Sequence, residues 1–123
     1  MINVDCMRGI GSHLSISCYD CPKEKLMDMN FIEKVFIELF SAMGINEAKN
    51  PHVFIYKKGN NSKKTGVSGT ALSQGAHLII HTFAEKNEAF IGFFSTGEFD
   101  SDYVVNYVTN AFEAKKSDFN VFS

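Results

Sequence analysis

The run Ala76 to Phe83 alternates without a break: His77, Ile79, His81 and Phe83 fall on one side, Leu78, Ile80 and Thr82 on the other. A period of two is the side-chain repeat of an extended strand, and a helix cannot satisfy it. The run therefore predicts a strand with unlike faces, one apolar and one carrying two histidines. Residues 12–19 repeat the pattern, with Leu14, Ile16 and Cys18 opposed to His13, Ser15, Ser17 and Tyr19. Further extended runs cover 52–57, 66–72 and 89–95. The polar turn Glu85-Lys86-Asn87-Glu88 joins the last of these to 76–83 as a hairpin, and residues 119–122 suit a final edge strand.

Two segments break the period of two. Phe31, Ile32, Val35, Phe36, Leu39 and Met43 recur at helical spacing, with Asn30 and Glu33 as the expected capping box and Gly44 as the stop. A second helix is expected from Asp100 or Ser101 to Lys115-Lys116, carrying Tyr107, Val108, Ala111 and Phe112. Strands with two interspersed helices predict an α+β sandwich, an antiparallel sheet with both helices on one face. Leu78 and Ile80 should pack on those helices through Phe36, Leu39, Val108 and Phe112. With 123 residues and no linker or repeat, one domain over 1–123 is expected.

Several function classes fall away on composition. A formal charge of -2 gives no general attraction to nucleic acid or to an anionic membrane. The loop 57–64 holds four lysines without interleaved aromatics, so it reads as a solvated hairpin tip. The apolar stretches are too short to span a bilayer. Met1 to Asp5 lacks the basic and apolar regions of an export signal, and a cytoplasmic protein is expected. Cys18-x-x-Cys21 stands alone, with Cys6 unpartnered and no second ligand pair following, so reduced thiols are expected and no metal.

The chemistry-bearing residues lie between Gly66 and Gly97. Gly66-Val67-Ser68-Gly69, the strand from His77 to Glu85, and Phe94-Ser95-Thr96-Gly97 resemble the core blocks of the small bacterial and archaeal pyruvoyl-dependent S-adenosylmethionine decarboxylases. That family reads approximately G-V-S-G, E-S-H-L-S-I-H-T-W-P-E and F-T-C-G-D, at the same intervals. Gly11-Ser12-His13 and Tyr19-Asp20-Cys21 are similar to its G-R-H and Y-G-C. The resemblance implies a decarboxylase-like sandwich, a homodimer and S-adenosylmethionine as ligand, with a place in polyamine (spermidine) biosynthesis.

Family members make their own cofactor. A serine hydroxyl attacks the preceding carbonyl, the ester eliminates, and hydrolysis leaves a pyruvoyl ketone that serves as an electron sink. By position that serine is Ala76 here, and the glutamate before it is Gly75. The family's proton-donor cysteine corresponds to Thr96, whose hydroxyl is a far poorer acid than a thiol of pKa near ~8.5. Ser68 and His81 match the pair that assists processing, while His77 and Glu85 are the expected ligand contacts.

The resemblance thus implies a member that neither self-cleaves at Ala76 nor carries a cofactor. Such a chain would bind S-adenosylmethionine or regulate its metabolism, as a homodimer or in a hetero-oligomer with an active decarboxylase. Two alternatives stand beside this: an enzyme of altered chemistry on S-adenosylmethionine, a lyase or hydrolase, or an active decarboxylase processed at Ser73.

Overall fold

The computed structural model describes residues 10–45, 50–57, 59 and 64–122. Cys6, Lys58 and Lys63 lie outside the described residues, as does the beginning of the chain. The strands are β1 (Ser12–Tyr19), β2 (His52–Lys57), β3 (Thr65–Ser73), β4 (Ala76–Phe83), β5 (Glu88–Ser95) and β6 (Lys116–Phe122). They form one antiparallel sheet in the order β2-β3-β4-β5-β1-β6. The helices are a single turn, α1 (Lys23–Leu26), and two longer elements, α2 (Met29–Ala42) and α3 (Ser101–Ala111).

The alternation read from the sequence becomes the division between the two faces. Leu14, Ile16, Leu78, Ile80, Ile91 and Phe93 are fully buried against Ile32, Val35, Phe36 and Leu39 of α2 and Val104 and Val108 of α3. Each such side chain contributes on the order of 1.5–3 kcal/mol by leaving water. Thr82 joins that face as its polar member. Its hydroxyl donates to the Leu26 carbonyl at 2.7 Å and accepts from the Val67 N–H at 2.7 Å, tying α1 to the sheet.

Among the described residues no helix covers the other face. Cross-strand register lays its side chains in rows, Leu72–His77–Phe94–His13–Phe122 in one and Phe54–Ser68–His81–Phe90–Ser17–Asp118 in another. Phe54 is 56% exposed and Leu72 60% exposed.

Three boundaries differ from the sequence reading. The α2 cap is Asp28, whose carboxylate accepts from the Phe31 N–H at 3.1 Å, two residues before the expected Asn30. Asp precedes the apolar periodicity just as Asn does, and both are good caps. The helix α3 starts where expected, on the Asp100 cap, but stops at Ala111 instead of reaching Lys115-Lys116. Glu113 turns left-handed at φ +52, and the Lys115 N–H is taken by the Tyr19 carbonyl at 3.0 Å, which starts β6 early. The expected turn 85–88 is a 3-10 turn, Ala84–Lys86, closed by left-handed Asn87 at φ +58.

Candidate functional site

The site is built on β4 and its neighbours. Ser68 lies directly across from His81 in the β3–β4 ladder, so both side chains emerge on the uncovered face. The Ser68 hydroxyl and His81 Nδ1 are hydrogen-bonded at 2.9 Å, and Ser68 is only 9% exposed. The pair opens into a cleft of about 340 Å3 lined also by Tyr56, Lys64, Phe83, Glu85 and Lys86. Tyr56 reaches it from β2 by lying across Gly66, where a β-carbon would stand 2.6 Å from its hydroxyl. That hydroxyl donates to the Thr82 carbonyl at 2.6 Å. Burial first, and the Glu85 carboxylate second, raise the phenol's pKa above its ordinary value and keep it a donor.

The opposite end of β4 is a tight turn. Ala76 is paired with Ser73 on one side and Ser95 on the other, and is 7% exposed. Gly75 precedes it at φ +78, a left-handed conformation that glycine adopts without strain. The Gly75 carbonyl accepts from the Thr96 N–H at 2.8 Å. The bond preceding Ser73, the alternative processing serine, lies within the β3 strand instead of at this turn.

A third group occupies the same uncovered face. The ring of His77 stacks on Phe94 with centroids 5.6 Å apart, and His13 approaches it at 6.3 Å from β1. Burial, then the His13 imidazole, lowers the pKa of His77 and favours its neutral form. His13 also lies 3.4 Å from the Ser15 hydroxyl through Nδ1.

The expected site residues therefore divide. Ser68, His81 and Glu85 share the cleft, whereas Ala76 and Thr96 share the turn. His81 and Ala76 are five residues apart on one strand, roughly 16 Å, and the odd separation puts them on opposite faces. His77 and His81 share a face but are four residues apart, roughly 13 Å. Of the two expected ligand contacts, Glu85 lines the cleft, whereas His77 lies with His13 and Phe94 outside it. Tyr56, Lys64, Phe83 and Lys86 were not singled out from the sequence. Phe83 shares the periodicity of His81, whereas Tyr56 depends on the β2–β3 register, which local patterns do not carry.

Among the described residues no group of three histidine, cysteine or acidic side chains is placed to hold a metal, and no helix is long and apolar enough to cross a membrane. Cys18 and Cys21 are both buried. Burial pushes their pKa values up to about 12 and about 11, so both are protonated and poorly nucleophilic at neutral pH.

Known proteins resemble the chain over nearly its whole length. The S-adenosylmethionine decarboxylase family profile matches residues 12–123. A protein named S-adenosylmethionine decarboxylase proenzyme from Bacillus velezensis is 32% identical over 108 residues, covering 88% of this chain and 80% of its own. A protein of the same name from Bacillus cytotoxicus is 31% identical over 113 residues, covering 91% of this chain and 82% of its own. The crystal structure of the adenosylmethionine decarboxylase from Aquifex aeolicus superposes with a TM-score of 0.75 at 18% identity. It covers 92% of this chain and 88% of the Aquifex chain, and shows that the fold is shared.

Proposed function

The chain belongs to the S-adenosylmethionine decarboxylase family, and from that premise we propose that it binds S-adenosylmethionine as one uncleaved polypeptide. On this reading it serves polyamine and methionine metabolism by binding or regulation and not by pyruvoyl-dependent decarboxylation. The observation that carries the reading is the residue at the turn: Ala76 presents a methyl group beside the Gly75 carbonyl. A pyruvoyl group is formed from a residue with a side-chain nucleophile, and alanine has none. Position 76 does not fit that group.

Binding is supported by the cleft. Its aromatic members Tyr56 and Phe83 suit an adenine or a sulfonium cation, and Glu85 adds a carboxylate for a ribose hydroxyl or an ammonium. Ser68 and His81 on this reading are a processing pair with nothing left to process.

A homodimer is part of the same proposal, supported by the aromatic side chains on the uncovered face of the sheet. Packing the uncovered face against that of a second copy would bury Phe54, Phe90 and Phe94 and bring the two ends of neighbouring sheets together. An active decarboxylase chain of the same fold is the other candidate partner.

Calorimetric titration of S-adenosylmethionine into the purified protein, with product analysis of the mixture, tests the reading. Saturable heat with the ligand recovered intact is expected. No heat removes the binding claim, and consumption of the ligand establishes a lyase, a hydrolase or a decarboxylase according to the product found.

A further inference from the structure

The chain's differences from the family pattern at positions 75 and 96 touch each other. A β-carbon built on Gly75 would stand 2.6 Å from Thr96 Oγ1, while Cβ and Cγ2 of Thr96 lie at 3.7 and 3.8 Å. The last two are ordinary contacts. The first is far inside the roughly 3.5–4.0 Å at which non-bonded heavy atoms are attracted, so the threonine oxygen occupies the place of a side chain at 75. The Thr96 N–H is at the same time bonded to the Gly75 carbonyl at 2.8 Å. The backbone at 96 cannot retreat from the turn without giving up that bond.

Rotation about χ1 is the remaining escape, and threonine is poorly suited to it. Two of its three staggered positions carry a heavy atom, which makes the side chain stiff. Serine or cysteine carries one such atom and can turn it away from the tip of the turn. The resemblance places glutamate at 75 with cysteine at 96, whereas this chain has glycine with threonine.

We propose that Thr96 is a positioning residue for the 73–76 turn. A branched side chain at 96 demands glycine at 75, and together the two hold the turn closed with no side chain projecting from position 75. The differences at 75 and 96 are therefore one coupled unit, and restoring a side chain at 75 requires trimming 96 first. The inference rests on contacts within the turn and stands whether or not S-adenosylmethionine binds.

Thermal melts of Gly75→Ala in four backgrounds test it: unchanged Thr96, Thr96→Val, Thr96→Ser and Thr96→Ala. The strain of a side chain at φ +78 is common to all four and cancels in the double-mutant cycle. Gly75→Ala should cost about 4 °C more in the unchanged and Thr96→Val backgrounds than in the Thr96→Ser and Thr96→Ala backgrounds. Equal losses in all four overturn the proposal.

Should Gly75→Ala fail to fold in every background, amide hydrogen exchange with Gly75 retained decides. The residue 96 amide should exchange about tenfold faster in Thr96→Ala than in the unmodified protein and stay slow in Thr96→Val. Unchanged exchange in both variants overturns it equally.

Discussion

The two ends of β4 are made of the same extended chain but equipped differently. At the Phe83 end a serine and an imidazole are hydrogen-bonded at 2.9 Å inside a cleft with aromatic, acidic and basic walls. At the Ala76 end the turn holds a methyl group, a glycine and a threonine whose oxygen fills the space above that glycine. The first end presents groups that donate and accept hydrogen bonds. The second presents only Ala76, Gly75 and Thr96 around a backbone hydrogen bond. A strand fixes both ends in register, so one can keep its geometry while the other changes its chemistry.

Reversing the difference at the turn should give the largest effect. Gly75→Glu/Ala76→Ser/Thr96→Cys should release carbon dioxide from S-adenosylmethionine at least about 10²-fold faster than Ala76→Ser alone, the usual contribution of a positioned proton donor. Equal rates in a carbon dioxide release assay would mean that Thr96 is no handicap.

The comparison extends to the covered face at the middle of the same strand. Ile80 is wholly buried there, and Ile80→Ala should cost about 2–4 kcal/mol in chemical denaturation. His81→Ala, one position along and on the other face, should cost about 1 kcal/mol, the net worth of its bond to Ser68. Its effect belongs in the calorimetric titration, as weaker ligand binding. Equal damage to stability from both, with unchanged binding for His81→Ala, would reduce the cleft to a structural feature.

The smallest expected effect concerns His77. Burial and the neighbouring His13 lower its pKa below 6.5, so the folded protein resists a proton that the unfolded chain accepts. Stability from this source is intact above about pH 6.5 and declines as the pH falls through that value toward the lowered one. No carboxylate or ammonium lies in the row Leu72–His77–Phe94–His13–Phe122 to offset it. The acid side of the melting profile should flatten in His77→Gln, and His13→Gln should raise the His77 titration midpoint followed by NMR. An unmoved midpoint would remove His13 as a cause.

The elements legible in the sequence were those whose pattern is local. Alternation at Leu78, Ile80 and Thr82 marked the covered face, and the spacing of Ile32, Val35, Phe36 and Leu39 marked α2. What stayed hidden depends on distant partners. The end of α3 is set by the Tyr19 carbonyl, and Tyr56 enters the cleft through a β2–β3 register that no local pattern encodes. The candidate site residues were individually visible, but their division into two ends was not. Ser68 and His81 meet because two strands pair, while Ala76 lies about 16 Å along one of them, on the other side of the sheet.

Intact-mass spectrometry of the purified protein tests the central claim most directly. A single species at the full 13.7 kDa is predicted, because no hydroxyl or thiol stands at position 76 to attack the Gly75 carbonyl. Two fragments, divided before Ala76 or before Ser73, would contradict it and restore a self-processing decarboxylase.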